Sequence, residues 1–420
     1  MNQGGAAAVG AQNNAGAGGA SGTTGGAAGA NAGASGAIDS GLSSSDGGGE
    51  GGGDAQTDAG DDGGLGTVYP QPGQRTGPGV LPAQTAGPAE YLGTLVYDDP
   101  NIVRDLGYSG VVNGQIVWTF GDTLVANGSG GFAFAASDSA ALGELLDPLK
   151  VHDKSLDENG RPEEWIPLNA DELGNGGLNE FAMGGTNVVE HAPNQGLVWF
   201  LKNHRGGGSD NIVGAGVATV TADENGPIAV RMSDTMWGPN EPYWGDIGVT
   251  YDPRDEHVYV FGHGPSSLDL KANTYLAKVP ADQATNVEAY SYWDRSSGTW
   301  TSQRFGDGEA GTLAISSDQA IFTFASHGQS NAFWSNHYNT WMFVHGADWG
   351  DSEIYVSTAP ELQGPWSAGV AIGTTCPPSG ECGSLRYCIA PHPEFDPSGK
   401  TLLVTWTDSN VIHAVRFEWQ

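Results

Sequence analysis

The sequence predicts an all-β fold, a five-bladed β-propeller preceded by a disordered tail rich in Gly, Ala, Ser and Asp. The first observation is a motif that occurs five times: a polar residue opens one apolar strand, and a second apolar strand ends on Asp or His. The second is that the apolar runs are short and bounded by turn residues. Helical periodicity is confined to a short stretch near residues 137–146. The third is a change in composition near residue 75.

The repeated motif is expected to place ionisable residues at one end of the propeller. In an up-and-down β-meander the start of one strand and the end of the next lie on the same face. A radial array of meanders therefore gathers these residues around one mouth. The pairs are Asp105 with Asp122, Asn187 with His204, Asp246 with His263, Asn331 with His345, and His392 with Asp408.

Residues 1–75 are predicted to form a disordered, low-complexity tether. They contain few apolar side chains large enough to build a core, so the segment does not offset the entropy that ordering would cost. The rest of the chain carries nearly all the aromatic residues and every cysteine. Residues 88–420 are therefore predicted to form the propeller as one domain.

The blades are predicted to follow one another along the chain. In blade 1 an Asn113-Gly114 turn joins two apolar runs, a strong hairpin signal because both residues tolerate positive φ. The predicted strands lie at residues 108–112 and 115–122; 186–190, 197–204 and 215–220; 247–251, 257–263 and 274–279; 332–335, 340–345 and 353–358; 401–408 and 412–417.

The two ends of the domain are predicted to close the ring. Because the chain ends on the third strand of the last blade, residues 91–96 are available as the outer strand which that blade lacks. Such closure removes an exposed sheet edge, which would otherwise invite aggregation. Six blades are the alternative, if residues 300–305 and 313–317 form a sheet of their own.

The chain is strongly acidic, with a formal net charge of -33. Nucleic acid and anionic membranes are therefore poor partners, because their phosphates would be repelled. A neutral polysaccharide or oligosaccharide fits better, and acidity that serves only solubility is the alternative. No apolar run reaches about 18 residues, so no transmembrane segment is predicted. We expect a monomer.

The tether and the cysteines predict an exported protein. A Gly-, Ser- and Asp-rich spacer before a β domain is typical of a bacterial protein that is secreted or anchored by a lipid at the cell surface; a disordered tail on a cytosolic protein is the alternative. Cys376 and Cys382 flank a turn-rich loop that a disulfide could close in an oxidising compartment. Cys388 lies in a predicted strand and is expected to be a buried thiol.

Three acidic residues are the candidate catalytic groups. Asp105 and Asp122 flank one hairpin at its axial end, and Asp246 would approach from blade 3. Carboxyl groups near a glycosidic bond can act as general acid, base and nucleophile, and their mutual repulsion raises the pKa of one of them. Each of them alone could instead cap a turn. We expect a bell-shaped pH profile, with a basic limb set by a carboxyl group or by His263 or His392.

A second set of residues is predicted to bind the substrate. Neutral imidazoles can hydrogen-bond sugar hydroxyls, or hold a water or a cation at the axis. No cofactor is expected to be required and no zinc or other transition-metal site is predicted; a structural Ca²⁺ at the axis is the alternative. Glu180 is a reserve acid, as is Glu394. The candidate substrate-binding residues are Arg104, Asn187, His204, Trp244, His263, Asn331, His345, His392, Glu394 and Asp408.

Aromatic side chains are predicted in the loops of the same face. Sugar rings present flat C–H faces that pack on aromatic rings, which suits a saccharide cleft. Trp118, Trp199 and Trp406 instead alternate within strands and are expected in the core. The aromatic residues predicted in the loops are Trp237, Tyr243, Trp244, Trp334 and Trp349.

Two stretches of the sequence resemble known glycosidases. Arg104-Asp105, followed by Trp118-Thr-Phe-Gly-Asp122-Thr, resembles the opening of the actinobacterial endo-D-arabinanase family, formerly a domain of unknown function. Ser357-Thr-Ala-Pro-Glu-Leu-Gln-Gly-Pro-Trp366, with His392-Pro-Glu394, is similar to sequences shared more widely by five-bladed-propeller glycosidases.

The resemblance extends from residue 92 to the C-terminus, except for residues 138–178, where no correspondence is recognised. It implies a five-bladed propeller that acts on furanoside linkages, with Asp105 and Asp122 as the matched acidic positions. The sequence therefore predicts a glycoside hydrolase that cleaves arabinan-type linkages with paired carboxyl groups. A non-catalytic, lectin-like propeller at the cell surface is the alternative.

Overall fold

The computed structural model describes residues 68–77, 83–128, 130–205, 211–323, 329–346, 353–380, 382–383 and 385–420. These residues form an all-β fold with five large antiparallel sheets, so the predicted five-bladed propeller is confirmed. The predicted disordered tail lies outside the described residues as far as residue 67. In the described ranges, none of the helices has the length and apolar character needed to cross a membrane.

The strands are numbered in chain order. β1 (Glu90–Thr94) precedes blade 1, which contains β2 (Ile102–Val112), β3 (Gln115–Ala126), β5 (Ser139–Gly143) and β6 (Val151–Asp153), with β4 (Phe132–Ala136) paired to the far end of β3. In blade 2, β7 (Phe181–Gly185) and β8 (Val189–Ala192) both pair with β9 (Gln195–His204), and β10 (Asn211–Asp223) and β11 (Gly226–Arg231) follow.

Blade 3 contains β12 (Tyr243–Asp252), β13 (His257–His263), β14 (Asn273–Pro280), β15 (Ser291–Asp294) and β16 (Thr299–Thr301). The short strands β17 (Phe305–Gly306) and β18 (Leu313–Ala314) pair with each other, and β19 (Phe322–Thr323) pairs with β14. Blade 4 contains β20 (Asn331–Ser335), β21 (Thr340–His345), β22 (Glu353–Ala359) and β23 (Val370–Thr374). Blade 5 contains β24 (Arg386–His392), β25 (Thr401–Asp408) and β26 (Val411–Glu418).

In the part of the chain that the structure describes, helical structure is limited to short connections. The α-helix α1 (Ala170–Gly174) begins at Asn169, whose side chain accepts a hydrogen bond from the backbone N–H of Glu172. The 3₁₀ turns are Gly177–Asn179, Ser266–Leu268, Ala281–Gln283, Val287–Ala289, Ser317–Gln319 and Pro393–Phe395.

The ring closes in two ways. The first strands of neighbouring blades touch in a closed cycle, from β2 to β8, β12, β20, β24 and back to β2. In blade 5, β1 from the start of the domain pairs antiparallel with β26 from its end, and Tyr91 lies opposite Val415. The predicted closure by both ends of the domain is therefore confirmed, and it leaves blade 5 without a missing outer strand.

The possible helix and the alternative of a sixth blade are both absent from the described residues. The helical stretch near residues 137–146 is strand β5, which pairs along the middle of β3 and is buried. A short continuous apolar run has the same pattern in a buried strand and in a helix, so periodicity alone did not separate them. The sixth blade is also absent from the described residues, because Trp300 belongs to blade 3 and β17 with β18 forms only a two-residue ladder.

The core lies between the blades and is rich in tryptophan. Trp118, Trp199 and Trp406 are almost completely buried, as predicted. Trp199 of blade 2 packs in one cluster with Trp244 of blade 3, which shows how the faces of neighbouring blades are held together. Rigid packing of this kind fixes the positions of the strand ends, from which the candidate functional groups project.

Residues 68–77 pack on the propeller, although the sequence placed most of them inside the disordered tether. Pro70 is buried, and the Tyr69 ring meets Tyr251 edge to face with ring centroids 5.8 Å apart. The side-chain amide of Gln74 donates to Asn339 Oδ1 over 2.7 Å. The described structure therefore extends N-terminally past the boundary expected at residue 75.

Deleting residues 1–77 is expected to lower the unfolding midpoint by roughly 2–5 °C. The reason is that burial of Tyr69 and Pro70 contributes on the order of 2 kcal/mol to the free energy of unfolding, and the deletion removes it. Deleting residues 1–67 is the matched control and should leave the midpoint unchanged. Differential scanning calorimetry measures both. Equal midpoints for the two deletions would show that the packed segment adds no stability.

Candidate active site

The structure brings the three predicted catalytic acids together. Asp105, Asp122 and Asp246 line one small cavity of about 60 Å³ at one end of the propeller axis. Asp105 and Asp122 come from the first hairpin of blade 1, and Asp246 comes from the first strand of blade 3. We call this cavity the mouth pocket. Ser137, Gln329 and Arg205 also contribute to its wall.

An irregular stretch of β2 aims Asp105 at the mouth pocket. The pairing register between β2 and β3 shifts on both sides of Leu106, which has a left-handed backbone with φ of 65°. A branched residue with a left-handed backbone costs on the order of 1–3 kcal/mol of conformational free energy, and such irregularities cluster beside functional sites. Opposite Asp105 lies Gly121, where a Cβ atom would collide with Asp105 Oδ1. Glycine at this position therefore leaves room for the carboxyl group.

Asp246 is displaced from its strand in a similar way. The register of β12 with β13 shifts between Trp244 and Gly248, and Gly245 has φ of 91°. The Asp246 carboxylate accepts a hydrogen bond from the backbone N–H of His263 over 2.9 Å, and its other oxygen lies 2.7 Å from His263 Nδ1. His263 therefore lies at the mouth, as predicted, and fixes the orientation of Asp246.

The carboxyl groups of Asp105 and Asp122 have different surroundings. Burial, and next the negative charge of Asp122, together raise the pKa of Asp105 to about 7, against the lowering effect of the Tyr387 hydroxyl. That hydroxyl donates to Asp105 Oδ2 over 2.7 Å. Asp122 instead forms an ion pair with Arg205, whose Nη2 lies 2.7 Å from Oδ1. The guanidinium stabilises the negative charge of Asp122, so the two acids can hold different charges near neutral pH.

His204 lies at the rim of the mouth. It ends β9, its side chain is 43% exposed, and its Nε2 lies 3.4 Å from Glu180 Oε2. Its ring also packs on Phe181 with centroids 5.0 Å apart. The reserve acid Glu180 is therefore a neighbour of a predicted substrate-binding residue, on the side of blade 2.

Asn187 and Asn331 are not brought to the mouth pocket. Both line a separate, larger cavity of about 550 Å³ that touches all five blades and residues 68–72. The Asn187 side chain donates to the Val249 carbonyl over 2.8 Å and accepts from the Val249 amide over 2.9 Å. Asn187 thus joins blades 2 and 3 below the mouth, because Phe181 and not Asn187 lies opposite His204.

His392 and Asp408 lie at opposite ends of blade 5, so the expectation that this pair shares the mouth is wrong. Leu403 lies opposite His392, whereas Arg386 lies opposite Asp408. His392 is completely buried beside Ser109 and Thr405, and burial lowers its pKa to about 3.

The reserve acid Glu394 lies beside His392 and away from the mouth pocket. It lines the larger cavity and accepts a hydrogen bond from the Ser109 hydroxyl. Burial raises the pKa of Glu394 to about 7. Its carboxyl group is therefore separated from the mouth pocket, although it is titratable near neutral pH.

Arg104 and Asp408 make structural contacts. Arg104 is completely buried, pairs with Asp153 over 2.5 Å, and lies over the rings of Tyr97 and Phe120. The Asp408 carboxylate accepts from the Gly383 backbone N–H over 2.7 Å, beside the Cys376–Cys382 disulfide loop. The disulfide that the sequence left open joins Cys376 to Cys382, and the expected buried thiol of Cys388 is confirmed.

His345 and the aromatic residues predicted in the loops lie inside the protein. His345 is buried and stacks on Tyr355 with centroids 5.6 Å apart, and burial lowers its pKa to about 4. Trp349 lies outside the described residues. The other four are buried core residues, which corrects their placement in the mouth loops: Trp237, Tyr243, Trp244 and Trp334.

Sequence reasoning missed two residues that contact the mouth acids and two on the neighbouring strand β4. Arg205 directly follows His204 at the end of β9, so it is adjacent in sequence to the last residue of the repeated motif. Tyr387 follows the first residue of β24, a strand whose bounds the sequence did not reveal. The other two are Phe132 and Phe134 on β4, which belong to the stretch of chain after the predicted hairpin.

The described residues contain no group of three or more His, Cys, Asp or Glu side chains that could hold a metal ion. The structural Ca²⁺ at the axis stays a prediction. The side chains of the mouth pocket can supply acid–base chemistry, because the buried acid Asp105 and the ion-paired carboxylate Asp122 face the same small cavity.

Comparison with known proteins identifies the fold. No protein-family profile matches the chain, and no curated protein matches it in sequence. Among solved structures, a candidate hydrolase from Bacteroides ovatus superposes with a TM-score of 0.52 at 13% identity, covering 77% of this chain and 86% of that one. At this identity the likeness establishes a shared fold, and activity must be argued from the site.

Two further structures come from glycosidases. A variant of an exo-β-1,3-galactanase from Phanerochaete chrysosporium, with β-1,3-galactotriose, has a TM-score of 0.46 at 12% identity, covering 78% of this chain and 64% of that one. The present chain thus spans less than two thirds of the galactanase. A GH43_1 enzyme from Xanthomonas citri, complexed with xylotriose, has a TM-score of 0.42 at 10% identity. The match covers 78% of this chain and 90% of that one.

Proposed function

We propose that the protein is a glycoside hydrolase. The observation that supports this most strongly is the convergence of Asp105, Asp122 and Asp246 on the mouth pocket. Asp105 has a pKa raised to about 7, whereas Asp122 is paired with Arg205. One carboxyl group that keeps its proton beside another that stays ionised is the arrangement that hydrolysis of a glycosidic bond requires.

In this proposal the acids have separate roles. Asp105 is the general acid and gives its proton to the oxygen of the leaving sugar. Asp122 acts as a carboxylate, either as the base that activates water or as the nucleophile that attacks the anomeric carbon. Asp246, held by His263, adds negative charge that stabilises the positive charge developing on the sugar ring.

We propose furanoside linkages of an arabinan-type polysaccharide as the substrate. This rests on the resemblance of Arg104-Asp105 and residues 118–123 to the endo-D-arabinanase family, and on the strongly acidic chain, which disfavours anionic polymers. Arabinan carries no charge, so the acidic protein does not repel it. A Ca²⁺ ion is not needed for any of these steps.

Incubation of the purified protein with arabinan, arabinogalactan and fructan, followed by chromatography of the products, tests the proposal. Release of sugars from arabinan supports both the reaction and the linkage. Release from one of the other polymers alone keeps the hydrolase and rejects the arabinan specificity. Binding without release of any product favours the lectin-like propeller and contradicts catalysis.

We also propose that the protein works outside the cytoplasm. The support is the disulfide between Cys376 and Cys382, since disulfides persist mainly in oxidising compartments. The Gly- and Asp-rich tether is compatible with anchoring at the cell surface. Fractionation of the producing cells, with antibody detection, distinguishes a surface or secreted location from a cytoplasmic one.

A further inference from the structure

The mouth pocket is too small to hold a sugar chain by itself. Its volume is about 60 Å³, whereas pockets that enclose small-molecule ligands measure roughly 300–1,000 Å³. The pocket can admit the reacting atoms, but most of a polysaccharide must lie across the rim. Additional binding surface is therefore needed next to Asp105 and Asp122.

The hairpin of β3 and β4 supplies an exposed apolar face beside this rim. Phe132 and Phe134 lie two positions apart on β4, so their rings project from the same face of the strand, roughly 6–7 Å apart. They are 55% and 37% exposed. Among the Phe and Trp side chains of the described ranges, these two are the most exposed. Single exposed apolar residues are common on protein surfaces, but two adjacent rings on one face form a patch.

This face connects directly to the candidate acids. The Arg205 guanidinium lies over the Phe134 ring, 5.0 Å from its centroid. The same guanidinium pairs with Asp122 over 2.7 Å and belongs to the wall of the mouth pocket. One side chain thus separates the aromatic face from a proposed catalytic carboxylate.

We propose that Phe132 and Phe134 form a platform that binds the apolar faces of sugar units adjacent to the cleaved linkage. The ligand is a neutral saccharide chain, and the inference rests on the proposed glycosidase function. Sugar C–H groups pack on aromatic faces without charge, and both rings leave part of their surface exposed to solvent. The Arg205 guanidinium lies over the Phe134 ring, so the platform adjoins the ion pair of Asp122.

The test compares Phe132→Ala and Phe134→Ala with Ile228→Ala, a control for loss of an exposed apolar side chain on the outermost strand of blade 2. Each alanine variant in the platform is expected to raise KM for the polymer about tenfold, which corresponds to about 1.4 kcal/mol, with little change in kcat. Phe134→Trp should retain the wild-type KM. Circular dichroism and thermal melts of each variant exclude misfolding as the cause.

Binding of long oligosaccharides, measured by isothermal titration calorimetry, separates this inference from the proposed function. If the wild type binds but releases no products, the hydrolase proposal fails while the platform is still judged by the affinities of the variants. Unchanged KM and affinity in both alanine variants would overturn the platform even for an active enzyme. Failure of the wild type to bind any of the three polysaccharides and their oligosaccharides would overturn it as well.

Discussion

Replacing Asp122 by Asn is expected to lower turnover of the polysaccharide by about 10²–10⁴-fold, with the fold retained. Asn has nearly the same shape and can still accept a hydrogen bond from Arg205, but it can neither take up a proton nor attack the sugar. The measurement is the rate of product release under saturating substrate. Substrate binding by this variant should persist, because the rim that holds the sugar chain is unchanged.

Asp105→Asn should cause a loss of similar size for a different reason. The Asp105 carboxyl group is buried and has a pKa raised to about 7, so much of it is neutral at working pH. A neutral amide replaces it at little cost to the free energy of unfolding and keeps an oxygen that can accept from the Tyr387 hydroxyl. The amide cannot donate the proton that the leaving sugar needs. Catalysis should therefore fall while the unfolding midpoint stays nearly constant.

Asp318→Asn is the matched control, since Asp318 is an exposed acid in the 3₁₀ turn before β19. It should leave turnover unchanged. If Asp122→Asn retains full activity over the whole pH range, the carboxylate mechanism is wrong. If all three variants lose activity equally, the effect is one of general charge and not of the mouth pocket.

The acids could be found from the sequence because they follow the strand period. Asp105 and Asp122 belong to consecutive strands joined by an Asn-Gly turn, and register makes the start of one strand meet the end of the next. Asp246 obeys the same rule with His263 in blade 3. The irregular backbone at Leu106 and Gly245, which turns these carboxyl groups into the pocket, left no readable signal in the pattern.

The rule that the start of a blade's first strand lies beside the end of its second strand fails where the first strand is irregular. In blade 5 the strand begins at Arg386, but Pro391 lies inside it and Cys388 has a left-handed backbone. A proline normally argues against a strand interior, so the sequence predicts that His392 begins a strand, whereas it ends β24. In blade 2 the first strand is divided into β7 and β8, which moves Asn187 below the mouth.

The missing parts of the site depend on contacts between distant positions. Tyr387 and Asp105 are 282 positions apart, and Arg205 and Asp122 are 83 positions apart. No local period contains such pairs; only the closed ring brings them together. The tryptophans beside Gly and Pro in the sequence looked like loop residues, yet Trp237 and Trp244 fill the space between blades 2 and 3.

The activity is expected to fall as the pH rises through about 7, because Asp105 must hold its proton to act as an acid. Burial is the largest cause of its raised pKa, and the charge of Asp122 is the next. The same titration affects stability. A carboxyl group whose pKa is raised on folding contributes stability that is complete below its ordinary pKa and is lost as the pH rises through about 7. Both activity and folding should therefore weaken on the alkaline side.

Tyr387→Phe tests whether Asp105 sets this basic limb. The Tyr387 hydroxyl stabilises the ionised form of Asp105 and so lowers its pKa. Removing the hydroxyl should raise that pKa and move the basic limb of the kcat/KM profile to higher pH by roughly one unit. The direction is opposite to what simple damage to the site would cause, since the variant should gain relative activity at alkaline pH.

The histidines provide the competing explanation and the controls. His392 is buried far from the mouth pocket, with a pKa lowered to about 3, so His392→Gln should leave the basic limb where it is. His263 contacts Asp246 at the mouth, and His263→Gln should lower activity without moving the limb. A limb that disappears in His263→Gln and is unmoved in Tyr387→Phe would assign it to the imidazole. Asp105 would then not be the acid, because its proton would not control the alkaline side of the profile.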